Sequence, residues 1–277
     1  MASQDILINW APQETRVAVI ENGAVQELHI ERALERGLVG NIYLGKVSRV
    51  LPGMQSAFID VGLERAAFLH VGDLLSTITA RHADSDTPSN PSPVPIEKQV
   101  FEGQAILVQV IKGGIGSKGP TLSTYISIPG RYLVLMPGLQ RVGVSRKIAD
   151  EDARRRLKRI LRDLNPPEGL GFIIRTAGVD RSQADLQRDL NYLLRLWTVI
   201  VGRIKKFPAP VDIYEESDMI IRTIRDIYSA EIDSIWIDEP RAFERAREFM
   251  NIVLPRHVDS VKLYDGREPL FHQYDIE

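Results

Sequence analysis

The sequence contains no cysteine, and this absence excludes disulfide bonds and thiolate metal sites. It has no run of 18 apolar residues, so we expect no membrane span. The amino-terminal residues MASQDILINW lack the basic and apolar regions of a secretion signal. Together these absences predict a cytoplasmic protein in a reducing compartment, with no membrane partner.

An excess of charge of one sign is also missing. The 277 residues carry 35 Lys and Arg against 37 Asp and Glu, which gives a formal net charge of −2. A protein without a global positive potential must bind nucleic acid through a local basic patch, if it binds nucleic acid at all. With 44% hydrophobic residues, the chain is long enough for one large domain or for two to four small ones.

The stretch Val39–Val71 has the pattern of three short strands. Alternating residues and turn signals predict strands over Ile42–Leu51, Gln55–Val61 and Ala66–Val71. We expect Gly45 to form a bulge that resets the alternation in the first of them. These strands place small and aliphatic residues on one face, which predicts the core of a small curved sheet.

Two phenylalanines, Phe58 and Phe68, fall on the opposite face of this sheet. Exposed aromatic rings are stacking platforms for unpaired bases, each stack contributing about 1–3 kcal/mol. Lys112 and Lys118 flank a glycine-rich stretch that does not have the spacing of a Walker loop, so we interpret it as a loop that presents lysines to a nucleic-acid backbone. The alternative is that both rings pack beneath a loop and that the lysines decorate a solvated hairpin tip.

The ends of the chain predict one sheet that is divided in sequence. Three strands open the chain, and Asn22-Gly23 predicts a type I′ turn between the second and third. Three strands alone are marginally stable, and the alternating helices and strands after residue 213 supply the missing partners. A three-stranded meander that is continued by an αβαβ run matches the connectivity of an RNase H-like sheet. Between residues 76 and 98, four prolines among polar residues predict a flexible insertion that buries no core.

A candidate phosphate site follows the predicted strand Gly171–Arg175. Arg175 and Thr176 stand at the strand end beside glycine, where a guanidinium, a hydroxyl and backbone N–H groups are suitable donors for a phosphate. Arg146 precedes a predicted helix over residues 150–164, most of whose basic residues we assign to a solvated face. A second long helix begins at a predicted Ser182 cap, and its apolar stripe predicts that Trp197 lies in the core.

Several segments resemble the bacterial RNase E/RNase G endoribonuclease family, and within it the RNase G type most. They include GNIYLGKV, GMQSAFIDVG, AAFLH, GFIIRTAG and LYDGREPLFHQYDIE, and the resemblance extends through nearly the whole chain. It implies an α+β multidomain fold. The implied domains are an RNase H-like domain (residues 1–38 and 213–277), a five-stranded S1-type OB-fold barrel (39–124, with 76–98 as the flexible insertion) and an α+β 5′-sensor domain (125–212).

The resemblance also implies roles for particular residues. Phe58, Phe68 and Lys118 would contact single-stranded RNA. We expect the same role for Lys112 because of its position beside the glycine-rich loop, independently of the resemblance. The residues implied around a 5′-terminal monophosphate and its base are Arg175, Thr176, Gly130, Val134 and Arg146. A pocket built for one phosphate should accept a monophosphate, exclude a triphosphate and bind a 5′-hydroxyl end poorly.

The implied activity is endonucleolytic hydrolysis of single-stranded RNA in rRNA maturation and mRNA decay, by an enzyme that requires Mg²⁺ and forms homo-oligomers. In the family, the carboxylates that hold Mg²⁺ belong to a segment beyond the position of Glu277. We therefore expect no catalytic or metal-ligating residue and no bound cofactor in these 277 residues, and no cleavage by them alone. Asp238 and Glu239 are interpreted as a strand-to-helix cap rather than a metal pair.

Two other functions remain open at the sequence level. The first is a non-catalytic, chaperone-like or regulatory RNA-binding protein that uses the OB-fold face. The second is an assembly scaffold whose exposed faces are buried against partner subunits. A reading frame that continues past Glu277 into an Asp-x-Asn segment would favour the enzyme.

Overall fold

A computed structural model describes residues 4–33, 37–76, 94–116, 118–139, 142–216, 218–228 and 232–276. The chain divides into two compact units. The first combines Met1–Arg36 with Ser217–Glu277, and the second is Gly37–Glu216.

The described residues form strands and helices in the following order. The strands are β1 (Gln4–Trp10), β2 (Glu14–Glu21), β3 (Ala24–Arg32), β4 (Ile42–Leu51), β5 (Ser56–Asp60), β6 (Ala67–His70), β7 (Ala105–Lys112), β8 (Thr121–Ser123), β9 (Ile128–Pro129), β10 (Leu133–Pro137), β11 (Val142–Val144), β12 (Leu170–Ile174), β13 (Val211–Tyr214), β14 (Ile232–Ile237) and β15 (Val261–Leu263). The helices are α1 (Glu151–Asp163), α2 (Gln183–Lys206), α3 (Met219–Asp226), α4 (Pro240–Val253) and α5 (Leu270–Gln273).

The first unit is built on a five-stranded sheet in the order β15-β14-β1-β2-β3. β1, β2 and β3 form the predicted antiparallel meander, and β14 and β15 add to it in parallel. Asn22 and Gly23 have φ angles of 52° and 78°, so both central residues of the turn have the positive φ of the predicted type I′ conformation. The two segments of this unit share one core, because Leu7 and Ile20 pack with Leu270 and Phe271.

The second unit contains a closed β-barrel. Its sheet has the order β13-β4-β5-β6-β8-β7, and an additional pairing of β4 with β7 closes five of these strands on themselves. The closed five-stranded barrel is consistent with an OB-like fold. Its interior is filled by small and aliphatic side chains, including Val47, Ala57, Ile59, Leu69 and Val108.

The predicted bulge at Gly45 is wrong. Gly45 pairs in regular register with Ile106, and the irregularity between β4 and β5 lies between Val47 and Arg49. A Cβ at Gly45 would lie 2.5 Å from the Cγ2 atom of Ile59. The glycine therefore allows a side chain of the neighbouring strand to approach closely, which a sequence cannot distinguish from a bulge.

The predicted insertion over residues 76–98 is only partly within the described residues, because residues 77–93 lie outside them. The statement that it buries no core is wrong at its end. Ile96–Lys98 form a short 3₁₀ turn, and Ile96 is 0% exposed in the barrel core. The Ile96 N–H donates to Gln55 Oε1 at 3.1 Å, which attaches this turn to the barrel.

The rest of the second unit is a four-stranded sheet in the order β11-β12-β10-β9, with α1 against β11 and α2 against β10. The sequence pattern over Thr121–Ile128 predicts a single strand, and this prediction is wrong, because β8 belongs to the barrel and β9 to this sheet. The chain turns between them, where the Thr124 N–H donates to Asp73 O and the Tyr125 N–H to Ser123 Oγ. Trp197 was predicted in the core but is only half-buried, because the fully buried part of α2 lies mainly in its amino-terminal half.

Candidate nucleic-acid interface

An aromatic pair stands on one face of the barrel. Phe58 on β5 is directly opposite Phe68 on β6, and their ring centroids are 6.2 Å apart at an interplanar angle of 67°. Their strand neighbours Ala57, Ile59 and Leu69 are fully buried on the opposite face, so the pleat directs both rings away from the core. Both rings are half-buried, and they pack edge-to-face.

The pair lines a groove of about 790 Å³. Lys112 at the end of β7 and Lys118 contribute to the same groove, so the structure brings together all four residues predicted to bind RNA. Lys118 forms an isolated β-bridge with Ile115, which confirms a hairpin tip in the glycine-rich stretch. A groove with aromatic walls and cationic edges has the two features required to stack bases and to attract a phosphate backbone.

Three further residues of this groove were missed from the sequence. Met54 and Ile115 line the groove with side chains that are 60% and 83% exposed. Arg65 Nη1 donates to Gly116 O, so the turn between β5 and β6 is attached to the lysine loop. No sequence signal marks Met54 or Ile115, because an apolar residue beside a glycine is equally compatible with burial.

The candidate phosphate pocket lies at the end of β12. The Arg175 N–H donates to Tyr132 O at 2.7 Å, and its side-chain Nη1 donates to Gly130 O at 2.7 Å. Thr176 is exposed and begins the short 3₁₀ turn Thr176–Gly178. Arg175 is half-buried, and its bond to Gly130 O holds the guanidinium against the β9–β10 turn.

The other predicted residues of this pocket belong to segments that adjoin it. Val134 on β10 pairs with Pro129 on β9 and with Ile173 on β12, and its side chain is half-buried. Arg146 is exposed in a turn whose start is fixed by a bond from Ser145 N to Ile174 O at 2.8 Å. The structure thus brings Gly130 and Arg175 into contact and places Val134 and Arg146 on the neighbouring strand and turn.

One buried carboxylate beneath this turn was missed. Asp189 on α2 is 0% exposed and accepts backbone N–H bonds from Arg131 at 3.1 Å, Tyr132 at 2.8 Å and Leu133 at 2.8 Å. Burial raises the pKa of Asp189, whereas the three N–H bonds and the charge of Arg175 oppose that rise. A signal was present in the sequence, since Asp189 falls inside the leucine stripe of an amphipathic helix.

Positive charge is concentrated around the same turn. The guanidinium of Arg131 lies 5.3 Å from the centroid of the Tyr132 ring, and that of Arg181 lies 5.8 Å from the same centroid. Both distances are within the range of a cation–π interaction. Arg131 is only 6% exposed, so Arg175 and Arg181 are the cations of this group that solvent reaches.

In the first unit, the adjacent acids Asp238 and Glu239 both accept hydrogen bonds from protein groups. Asp238 accepts bonds from Asn9 Nδ2 at 2.5 Å and Trp10 N at 2.9 Å, and Glu239 accepts one from Ala242 N at the start of α4. The predicted cap is confirmed at Glu239. Throughout the described ranges, no three His, Asp or Glu side chains are grouped so that they could hold a metal ion. The described residues therefore supply no set of ligands that fits the Mg²⁺ implied by the resemblance.

The closed barrel and its groove define a class of protein. OB-type barrels with aromatic rings and cations along one face bind single-stranded nucleic acids. Comparison with known proteins then identifies the family: the profile of the Ribonuclease E/G family matches residues 127–277. The chain belongs to this family.

Individual relatives are similar over almost the whole chain. Ribonuclease G of Escherichia coli (strain K12) is 42% identical over 276 residues, covering 99% of this chain and 55% of the relative. Ribonuclease G of Haemophilus influenzae is 42% identical over 277 residues, covering 100% of this chain and 56% of the relative. Ribonuclease E of Haemophilus influenzae is 42% identical over 266 residues, covering 96% of this chain and 28% of the relative. The chain thus spans about half the length of the ribonuclease G relatives. Among the described residues, no helix is long and apolar enough to cross a membrane.

Proposed function

We propose that this chain binds single-stranded RNA in the barrel groove and senses a 5′-monophosphate at Arg175, as part of an endoribonuclease of rRNA maturation and mRNA decay. The observation that carries the proposal is the contact between Arg175 Nη1 and Gly130 O beside the exposed Thr176. A guanidinium fixed in this way is a planar, permanently charged donor that matches the geometry of a phosphate.

The two candidate sites have complementary tasks in this proposal. The groove at Phe58 and Phe68 holds bases by stacking and phosphates by the charges of its lysines, which gives affinity without much sequence preference. The pocket at Arg175 recognises only the end of the strand. A terminal monophosphate carries more charge than an internal phosphodiester, so it gains more from the positive charges of Arg175 and Arg181.

The remaining features of the family are also proposals for this chain. The sheet order β3-β2-β1-β14-β15 of the first unit supports an RNase H-like domain composed of residues 1–38 and 213–277. The barrel supports an S1-type domain over residues 39–124, and the sheet with α1 and α2 supports a 5′-sensor domain over 125–212. We also propose a cytoplasmic location, homo-oligomerisation and a Mg²⁺ requirement of the whole enzyme, with no cleavage by this chain alone.

The sensor is tested with one short unpaired RNA that carries a 5′-monophosphate, a 5′-triphosphate or a 5′-hydroxyl. We expect fluorescence anisotropy to show at least about tenfold tighter binding of the monophosphate than of the hydroxyl, the gain typical of charged hydrogen bonds. Arg175→Ala should abolish this preference. Arg159→Ala, which removes the same charge from an exposed position of α1, is the matched control and should preserve it.

Equal affinity of the wild-type chain for all three RNAs would contradict the sensor. A preference that persists in Arg175→Ala would place the phosphate site elsewhere. The same purified protein, incubated with the RNA and Mg²⁺, tests the proposed lack of cleavage, and any Mg²⁺-dependent product would contradict it.

A further inference from the structure

The β9–β10 turn, which contacts Arg175, is bonded on its buried side to the carboxylate of Asp189. Asp189 is buried on α2, and its two carboxylate oxygens accept the N–H groups of three consecutive residues, Arg131, Tyr132 and Leu133. Bonds from N–H groups to a buried carboxylate are stronger than bonds between neutral groups. They fix the orientation of three successive peptide units between β9 and β10.

The same bonds determine where the Gly130 carbonyl points. The Gly130 N–H donates to Leu133 O at 2.8 Å and its carbonyl accepts from Arg175 Nη1 at 2.7 Å, so Gly130 lies between the anchored turn and the guanidinium. A Cβ at Gly130 would lie 2.7 Å from Asp189 Oδ2 and 2.8 Å from Oδ1. The glycine is therefore required by the carboxylate beneath it, because any larger residue would displace Asp189 from the turn.

Asp189 also acts on Arg175 through its charge. The Coulomb interaction between the two is attractive, and it opposes the effect of burial on Asp189. Arg175 is thus bonded to the carbonyl of Gly130 and attracted by the charge of a buried carboxylate. A guanidinium that is ordered before the ligand arrives loses less side-chain entropy on binding.

We propose that Asp189 is a positioning residue for 5′-end recognition: it orders the Arg131–Leu133 turn so that Gly130 O holds the Arg175 guanidinium for a terminal monophosphate. The inference rests on the proposed function of Arg175. It differs from a role in stability alone, since it assigns to Asp189 an effect on the choice between 5′ ends.

Two substitutions of Asp189 remove its bonds to the turn to different extents. Asp189→Asn keeps the size of the side chain and one acceptor oxygen, but it places an amide N–H₂ opposite one of the backbone donors and removes the charge. Asp189→Ala removes all three bonds. Leu193→Ala, a fully buried position one turn further along α2, is the control for a loss of packing in the same helix.

Anisotropy with the 5′-monophosphate and 5′-hydroxyl RNAs is the first measurement. The monophosphate preference should fall about fivefold in Asp189→Asn and vanish in Asp189→Ala, because each lost bond releases part of the turn. Affinity for the 5′-hydroxyl RNA should remain within about twofold, since the barrel groove does not depend on Asp189. Leu193→Ala should lower the thermal midpoint and keep the preference.

A double-mutant cycle then tests whether Asp189 acts through Arg175. If it does, Asp189→Asn combined with Arg175→Ala binds the 5′-monophosphate RNA as tightly as Arg175→Ala alone. Full preference in a folded Asp189→Asn, or equal losses in Leu193→Ala and Asp189→Ala, would overturn the positioning role and leave the sensor intact. Absence of any preference in the wild-type protein would overturn both.

Discussion

Phe58 and Phe68 pack against each other outside a barrel whose interior is filled mainly by small and aliphatic side chains. Neither ring is needed to fill that interior, and both line the groove together with Lys112 and Lys118. Asp189 illustrates the opposite case, because a charged side chain at the centre of a leucine-rich face is completely buried and fully engaged. At one site, large aromatic residues lie outside the core, and at the other an acidic residue lies inside it. In both cases the unusual placement marks a residue with a candidate role.

Substitution of Phe58 by Ala should weaken the binding of single-stranded RNA roughly tenfold, because one stacking surface is lost. The loss should be the same for every 5′ end, since the ring lies in the groove. Phe101→Ala is the matched control: Phe101 is 68% exposed on the barrel but does not line the groove. Anisotropy with a 5′-hydroxyl RNA measures both, and an equal loss in the two variants would contradict the role of the groove.

Among the elements, β4 and α2 show how local geometry supports the two sites. β4 pairs with both β5 and β7 and so closes the barrel that presents the aromatic pair. α2 begins with a capping box in which Ser182 and Asp185 exchange bonds between their side chains and backbone N–H groups. The position of Asp189 beneath the β9–β10 turn depends on this helix start, about two turns upstream.

Gly45→Ala should destabilise the barrel by about 1–3 kcal/mol, because the new methyl group would overlap Ile59 and force the strand pair apart. The free energy of unfolding from a urea titration measures the effect. Gly53→Ala is the control, since a Cβ at Gly53 meets no atom within 4 Å. Equal free energies of unfolding for the two variants would show that the strand pair β4–β5 accommodates the added methyl group without loss of stability.

Ser182→Ala should destabilise the protein by about 1 kcal/mol near neutral pH, through loss of the helix cap. Burial alone would raise the pKa of Asp185, but bonds from Ser182 and the charge and bond of Arg188 outweigh it and hold the pKa below 3.8. A lowered pKa in the folded state stabilises the fold above the ordinary pKa and ceases to do so as the pH falls through the lowered value.

The difference in unfolding free energy between wild type and Ser182→Ala should therefore shrink as the pH falls below about 4. Urea titrations at a series of pH values between neutral and acid measure this difference. A difference that stays constant or grows in acid would show that Asp185 is not stabilised by Ser182.

On the scale of the whole molecule, the chain forms two units with separate cores, and the second interrupts the sequence of the first. Both the groove and the phosphate pocket belong to the unit Gly37–Glu216. Because this unit is continuous in sequence, its strands and helices need no partner from the chain ends to complete their sheets.

Residues 37–216 expressed alone should therefore fold and bind single-stranded RNA with the affinity of the 277-residue chain, within about threefold. Circular dichroism with thermal melting establishes folding, and anisotropy measures the affinity and the preference for a 5′-monophosphate. A folded 37–216 protein with greatly reduced affinity would show that residues 1–36 or 217–277 contribute to binding.

The sequence by itself determined most of the elements, because their patterns are local. Alternation gave β4, β5 and β6 to within a residue, Asn22-Gly23 specified its turn, and periodicity gave α1. The four groove residues could also be predicted from the sequence. The period of two in a strand assigns each phenylalanine to a face, and the glycine-rich stretch marks an exposed loop that carries the lysines.

Only the tertiary structure decided which distant residues meet. The close approach of Ile59 to Gly45, the burial of Ile96 after a polar stretch, and the placement of β8 and β9 in different sheets all depend on contacts that have no local signature. Asp189 is the clearest case. Its partners lie 56 to 58 residues away, and an acid is compatible with a buried helix face only where backbone donors meet it, which the fold alone arranges.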